Sequence, residues 1–321
     1  MPDFKPRDLL FPLVIFTLFY AYQACNQMDR NSLLSLPFKT SSPPLNWSSI
    51  DCCQWEGISC DHKGQVKHIW LPSKGLRGSI SPFLANLTHL SHLNLSHNSL
   101  SGPLPLDIYS ATRLQEISLP SNNLSGLISE DIVNLTRLAK LELYRNNIGG
   151  KLPQYRDSKL TNITKAIKIL MHCKALKVLF LTSNFLQEAM PTDDSIVGSS
   201  GFANLRLLSL SDCQLTGQFP FWLSKLKNLE VLFLEANRIT GSIPGWLSTL
   251  PKLFILSIAN NKLHGPIPSG TQLQSFDASD YEGNPGLCGP PLPNQCPHIT
   301  GNKGDKDIHD EEKDMQSHGF I

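Results

Sequence analysis

An asparagine returns at intervals of 24 residues, at Asn98, Asn122 and Asn146, within segments that repeat one another: LSHLNLSHNSLSGPLPLDIYSATR from Leu90, LQEISLPSNNLSGLISEDIVNLTR from Leu114 and LAKLELYRNNIGGKLP from Leu138. Lys74 holds the same slot before them, and Cys213, Asn237 and Asn261 hold it after them. A repeat of this length is one supersecondary unit that cannot bury its apolar face alone, so stability must come from stacking the copies and covering both ends. Arrays of this kind run to 321 residues as a single unit.

Each copy carries its own chemistry. In the LxxLxL core the leucines of a short strand point inward, while the residues between them face the other side of the sheet, the concave side of the stack. The asparagine that follows turns inward and satisfies otherwise orphaned backbone groups of neighbouring coils. The next segment, LTGQFP from Leu215 or ITGSIP from Ile239, uses Gly for a tight bend and Pro to stop regular pairing. This is the leucine-rich-repeat pattern, and it predicts about eight coils over residues 66–269.

Six of the eight cysteines sit where covers are needed. In the cap expected over 25–65, Cys53 and Cys60 should close a short loop, leaving Cys52 to pair with Cys25 across a helix near Asp29 to Leu36; in the cap expected over 270–298, Cys288 should pair with Cys296. Cys213 occupies a ladder slot, where a buried thiol can replace Asn, and Cys173 follows an apolar segment, so both are expected buried and reduced. Lys5 and Arg7 before an apolar run from Leu9 to Tyr20 read as an export signal over 1–24, ending at Ala21 or Ala24; an uncleaved anchor fits less well. The oxidising compartment this implies agrees with six Asn-x-Ser/Thr acceptors, at Asn46, Asn86, Asn94, Asn123, Asn134 and Asn162. A net charge of +1 from scattered, balanced charges excludes a nucleic-acid surface, and no later stretch reaches the length of a membrane-spanning helix. Residues 299–321, acidic between Asp305 and Asp314, read as a solvated, disordered tail.

The segments CNQMDRNSLLSL, NWSSIDCCQWEGISCD and SKLTNITKAIKILMHCKALKVLFLTSNF resemble the ectodomains of plant receptor-like proteins and receptor kinases, most of all the receptors for tyrosine-sulfated growth peptides. The end, IPSGTQLQSFDASDYEGNPGLCGPP, is similar to the C-terminal cap of receptor-like proteins, including disease-resistance types. The resemblance runs from about Cys25 to Cys296 and implies an α/β-type solenoid: a plant-type leucine-rich-repeat right-handed superhelix with a parallel concave β-sheet and disulfide-bonded caps. Three departures bear on function. Asn146 to Asn184 is 38 residues, so 154–175 reads as a damaged or partly deleted repeat that lacks a concave strand and makes the solenoid bulge. The island that sulfated-peptide receptors insert between late coils is missing, so their ligand does not carry over. A kinase region and a spanning helix are also missing, so signalling would need a partner kinase.

The strand period assigns concave positions, and their character changes along the stack. Early coils present His68 and Trp70, His92 and Asn94, Glu116 and Ser118, Lys140 and Glu142; late coils present Val178 and Phe180, Leu207 and Ser209, Val231 and Phe233, Ile255 and Ser257. The late half is therefore expected to form an apolar peptide groove, anchored by Phe180 and Phe233 and rimmed by Tyr144, Arg145, Asp212 and Glu235. Val178, Leu207, Val231 and Ile255 are read as ordinary partly buried strand residues. His89, His92 and His97 imply no third ligand and hence no metal site. No nucleophile elbow or phosphate loop occurs, so the reading is a non-enzymatic binder without a cofactor. It is an extracellular or outer-membrane-face receptor for a peptide or protein ligand; the competing readings are a secreted decoy or cell-wall-hydrolase inhibitor, and an inactive truncated fragment.

Overall fold

The structure is a computed structural model that describes residues 24–39, 44–149, 162–191, 201–269 and 272–297. The expected signal segment and acidic tail lie outside the described residues, as do 154–161. Among those described, no helix is long and apolar enough to cross a membrane.

One sheet runs the length of the stack. Its strands are β1 (Ile58–Cys60), β2 (Val66–Trp70), β3 (His92–Asn94), β4 (Glu116–Ser118), β5 (Lys140–Glu142), β6 (Val178–Phe180), β7 (Leu207–Ser209), β8 (Val231–Phe233) and β9 (Ile255–Ser257). β1 is antiparallel to β2, and all the others are parallel to their neighbours. Register is pinned by the middle residue of each triplet. Ile69, Leu93, Ile117, Leu141, Leu179, Leu208, Leu232 and Leu256 are at most 1% exposed, and a one-residue slip would turn all of them to solvent.

The ladder slot does what its chemistry requires. Asn122 Oδ1 accepts from Leu100 N at 2.9 Å, while its Nδ2 donates to Leu95 O at 3.0 Å and Leu119 O at 3.1 Å, tying one coil to the previous one. Asn98, Asn146, Asn184, Asn237 and Asn261 repeat the arrangement. Asn284, inside the C-terminal cap, extends it by one step, accepting from Leu263 N at 3.0 Å and donating to Ile258 O at 3.0 Å. At Cys213 the thiol sits 3.2 Å from Ser211 O, and burial pushes its pKa up to about 12. The residue before each slot is left-handed, from Ser73 and His97 through Arg145 and Asp212 to Ala236 and Asn260, with φ of 51–56°.

The caps close the ends. Helix α1 (Gln27–Leu34) begins at Asn26, whose side chain accepts from Met28 N, and the buried Asp29 carboxylate takes the Val66 N–H at 2.7 Å at the first coil. Disulfides join Cys25 to Cys52, Cys53 to Cys60 and Cys288 to Cys296, and Cys173 and Cys213 are buried thiols.

The long spacing from Asn146 to Asn184 is resolved without a break in the concave sheet. The described part of the segment expected to be a damaged repeat, 162–175, contributes no strand. Instead Asn162–Leu170 forms helix α2. It packs beside the 3-10 turn Glu130–Asn134, in line with the turns at Pro82–Asn86 and Leu106–Ser110 of earlier coils. β5 then pairs directly with β6, Lys140 opposite Val178, so the extra residues enlarge one coil and do not interrupt the face. The interruption falls elsewhere. The Ser/Gly-rich strands on the flank form two separate four-stranded sheets, one from Arg77–Ser79 to Asn147–Ile148 and one from Thr216–Gly217 to Gly286–Cys288. The sequence after Asn184, FLQEAMP, lacks the Gly-x-x-Pro bend that would continue the first of them.

Candidate functional site

The concave face divides in two. In the early half the charged groups satisfy one another, although Ser121 Oγ on the turn after β4 is buried without a partner: Lys140 Nζ lies 3.2 Å from Glu116 Oε1 and 3.1 Å from Glu142 Oε2, and Ser118 Oγ donates to Glu142 at 2.7 Å. Partial burial opposes the Lys140 charge, but hydrogen bonds and Coulomb attraction from Glu142 and Glu116 outweigh it and raise its pKa.

The late half carries aromatic rings over small residues. Register places Phe180 opposite Ser209 and Ser209 opposite Phe233, so two half-buried rings stand on either side of a serine that is 2% exposed. With adjacent strands about 4.8 Å apart, the rings rise from strands roughly 10 Å apart, and the slot is the interval over Ser209 between them. Neither ring belongs to the buried core cluster. Tyr144 packs its edge against Phe180, ring centres 5.9 Å apart, and extends that wall. Beside the slot runs a polar row, Thr182, Ser211 and Glu235, in which Thr182 Oγ1 meets Ser209 Oγ at 2.5 Å. Ser211 Oγ and Glu235 Oε2 are buried without a hydrogen-bond partner. Such atoms are costly to leave unmade, about 1–3 kcal/mol each, and both oxygens have acceptor capacity to spare. The Glu235 charge is felt nearby: burial, joined by the carboxylates of Asp277 and Glu235, raises the pKa of Asp280 against the Asp277 N–H bond that lowers it.

The other expected residues fall around this slot. Asp212 is exposed and accepts from Ser183 Oγ at 2.8 Å. Arg145 is exposed on its left-handed turn, one coil before Phe180, and has no ion-pair partner among the described residues. Val178 and Leu207 are half-buried and Val231 is 9% exposed, as ordinary strand residues are, but Ile255 is 40% and its neighbour Phe254 62% exposed, adding apolar surface at the last coil. The serine hydroxyl and Phe254 were not singled out by the sequence, because an unmade hydrogen bond depends on which coils meet and leaves no trace in one strand.

Among the acceptors, Asn46, Asn86, Asn123 and Asn134 are exposed, while the Asn162 side chain lies outside the described residues. Asn94 is a correction: it is 8% exposed within β3, and its Oδ1 takes the Ser96 N–H at 3.0 Å, so the folded chain does not present it as an acceptor.

Residues 26–61 match the leucine-rich-repeat N-terminal domain, and 89–111 and 203–263 match the leucine-rich repeat. Receptor-like protein 3 of Arabidopsis thaliana is 49% identical over 79 residues, 23% of this chain and 10% of that protein. Phytosulfokine receptor 1 of the same plant is 47% identical over 68 residues, 21% of this chain and 6% of the receptor. The matched segments thus span a small part of these relatives. Among solved structures, the ectodomain of the Arabidopsis receptor kinase HAESA with its IDA peptide hormone ligand superposes with a TM-score of 0.56 at 26% identity, covering 78% of this chain and 47% of that one. HAESA with IDA and the co-receptor SERK1 gives 0.51 at 26% identity, covering 70% and 38%. A plant ice-binding protein gives 0.56 at 26% identity, covering 85% of this chain and 99% of its own. The fold is therefore that of plant leucine-rich-repeat ectodomains, and the chain resembles receptor-like proteins and phytosulfokine receptors in sequence.

Proposed function

We propose that this chain, whose fold is that of plant receptor ectodomains, is an extracellular recognition solenoid that captures a peptide on the late half of its concave face and signals through a partner kinase. The observation that carries the reading is the slot between Phe180 and Phe233 with its unpartnered Ser211 Oγ and Glu235 Oε2. An apolar side chain seated between the rings would gain burial, and the peptide's N–H groups would satisfy the two oxygens. Arg145 and Glu235, on opposite sides of the slot, would orient the peptide by charge. The scaffold alone does not carry the assignment, since an ice-binding protein shares it; the surface does. Peptide capture in the HAESA complex supports the ligand class, and that receptor kinase's complex with the co-receptor SERK1 supports signalling through a partner. Three disulfides and the exposed acceptors Asn46, Asn86, Asn123 and Asn134 support an extracellular, glycosylated chain.

Selecting peptides from a displayed library on the immobilised, secreted chain tests this. Peptides selected by the parent should lose at least about 100-fold in affinity on the Phe180→Ser/Phe233→Ser double variant, as the removal of two interface anchors does, with the circular-dichroism melt unchanged. Equal affinity would show the slot to be misplaced, and unfolding would show the rings to be core.

A further inference from the structure

The early end of the concave face holds a second recess, which the peptide slot does not use. It has a volume of about 420 Å³ and is lined by Gly57, Ile58 and Ser59 of the β1 region with His68, Trp70 and His92. Parallel register sets His68 directly beside His92 on adjacent strands, and their rings meet at 4.6 Å between centres, with planes 80° apart. Trp70, 55% exposed, forms one wall.

We propose that His68 and His92 form a two-imidazole site for a divalent transition-metal ion, copper(II) foremost and zinc(II) next. Three features support it. The first is spacing. An ion bonded at about 2.0–2.1 Å to one nitrogen of each ring, with each ring centre about 1.1 Å further out, holds the centres about 4.5–5.2 Å apart when the bonds meet at about 90–109°. The observed 4.6 Å falls in that range. The second is orientation. Ser91 Oγ lies 2.8 Å from His92 Nδ1 and 3.2 Å from Lys67 O, which holds the ring by one nitrogen and leaves Nε2 without a hydrogen-bond partner among the described residues. A hydrogen bond on the other nitrogen is how metal-ligating histidines are held. The third is availability: neither ring nitrogen of His68 has a hydrogen-bond partner among the described residues.

The choice of metal follows from the donors. Neutral imidazoles suit copper and zinc, and copper(II) binds a given nitrogen site most tightly among the first-row divalent ions. Glu116, the register partner of His92 on β4, is engaged by Lys140, so water completes the coordination. His97 and His89, expected from the sequence to lie on and beside this face, are not part of the pair.

The test titrates copper(II), then zinc(II), into the intact secreted chain at pH 7.5, read by calorimetry and by electron paramagnetic resonance. One copper per chain with hyperfine splitting from two nitrogens is expected. His68→Gln and His92→Gln should each weaken binding at least tenfold, whereas His97→Gln should leave it unchanged, and lowering the pH to 5 should release the ion. Absence of binding, or binding that persists in the double variant, would overturn the assignment. Should the variants fail to fold, the unaltered chain still decides. Zinc should protect His68 and His92, and not His97, from diethyl pyrocarbonate as mapped by mass spectrometry; equal labelling with and without zinc would overturn the proposal.

Discussion

The early and late halves of the concave sheet rest on the same scaffold and differ in what they leave unfinished. From β3 to β5 the polar side chains close on one another, with Lys140 clamped by Glu116 and Glu142. From β6 to β9 the face presents rings, small residues and two buried oxygens without partners. In the first arrangement the charged groups are complete in the free protein. The second suits a face completed by something else.

The comparison presumes that the scaffold beneath both halves is equally strong, and the largest expected effect tests that. Asn122→Ala strips the backbone groups of Leu100, Leu95, Leu119 and Pro120 of their partner, and Asn237→Ala those of Cys213, Leu215, Leu210, Leu234 and Glu235. Each substitution should cost about 3 kcal/mol in urea denaturation. A much smaller loss for Asn237→Ala would mean that the late half is loosely built and that its unmade bonds reflect slack.

A second, smaller effect sharpens the contrast. Lys140→Met leaves Glu116 and Glu142 facing each other and should destabilise by about 1 kcal/mol, since the ammonium is partly exposed and screened; added salt should shrink the difference. Glu235→Gln, by contrast, should move stability by less than about 0.5 kcal/mol, because no bond in the free chain is lost at Oε2. Equal losses at the two positions would erase the distinction between a finished and an unfinished face.

Much of this was legible in the sequence, and the exceptions share a cause. The 24-residue period, the ladder and the concave positions of Phe180 and Phe233 follow from short-range spacing, which every coil restates. Asn284 escaped because it falls 23 residues after Asn261 and follows no LxxLxL core. Helix α2 escaped because its segment was judged by the strand it lacks, although TNITKAIKIL has apolar residues at helical spacing. Asn94 passed as a glycan acceptor because the tripeptide says nothing of burial. The lone oxygens of Ser211 and Glu235, and the recess around His68, arise where separate coils or the β1 hairpin meet, which a period cannot encode.

The smallest expected effect concerns pH at the early end. Burial holds the folded pKa of His68 below its ordinary value near 6.5, so the unfolded chain takes up a proton more readily than the folded one. The stability this contributes is fully present above about pH 6.5 and is lost as the pH falls through the lower folded value. Melting temperature should therefore decline slightly from pH 7 to 5, and His68→Gln should flatten that part of the profile. An unchanged slope in the variant would assign the decline to other groups.

The division of the concave face is tested most directly by a hydrogen-exchange footprint of the chain with and without a peptide selected by it. The account predicts that the bound peptide slows exchange in the segments carrying Leu207–Ser209 and Val231–Glu235, with no change at His92–Asn94 and Glu116–Ser118. Protection at the early strands, or protection spread evenly along the sheet, would contradict it.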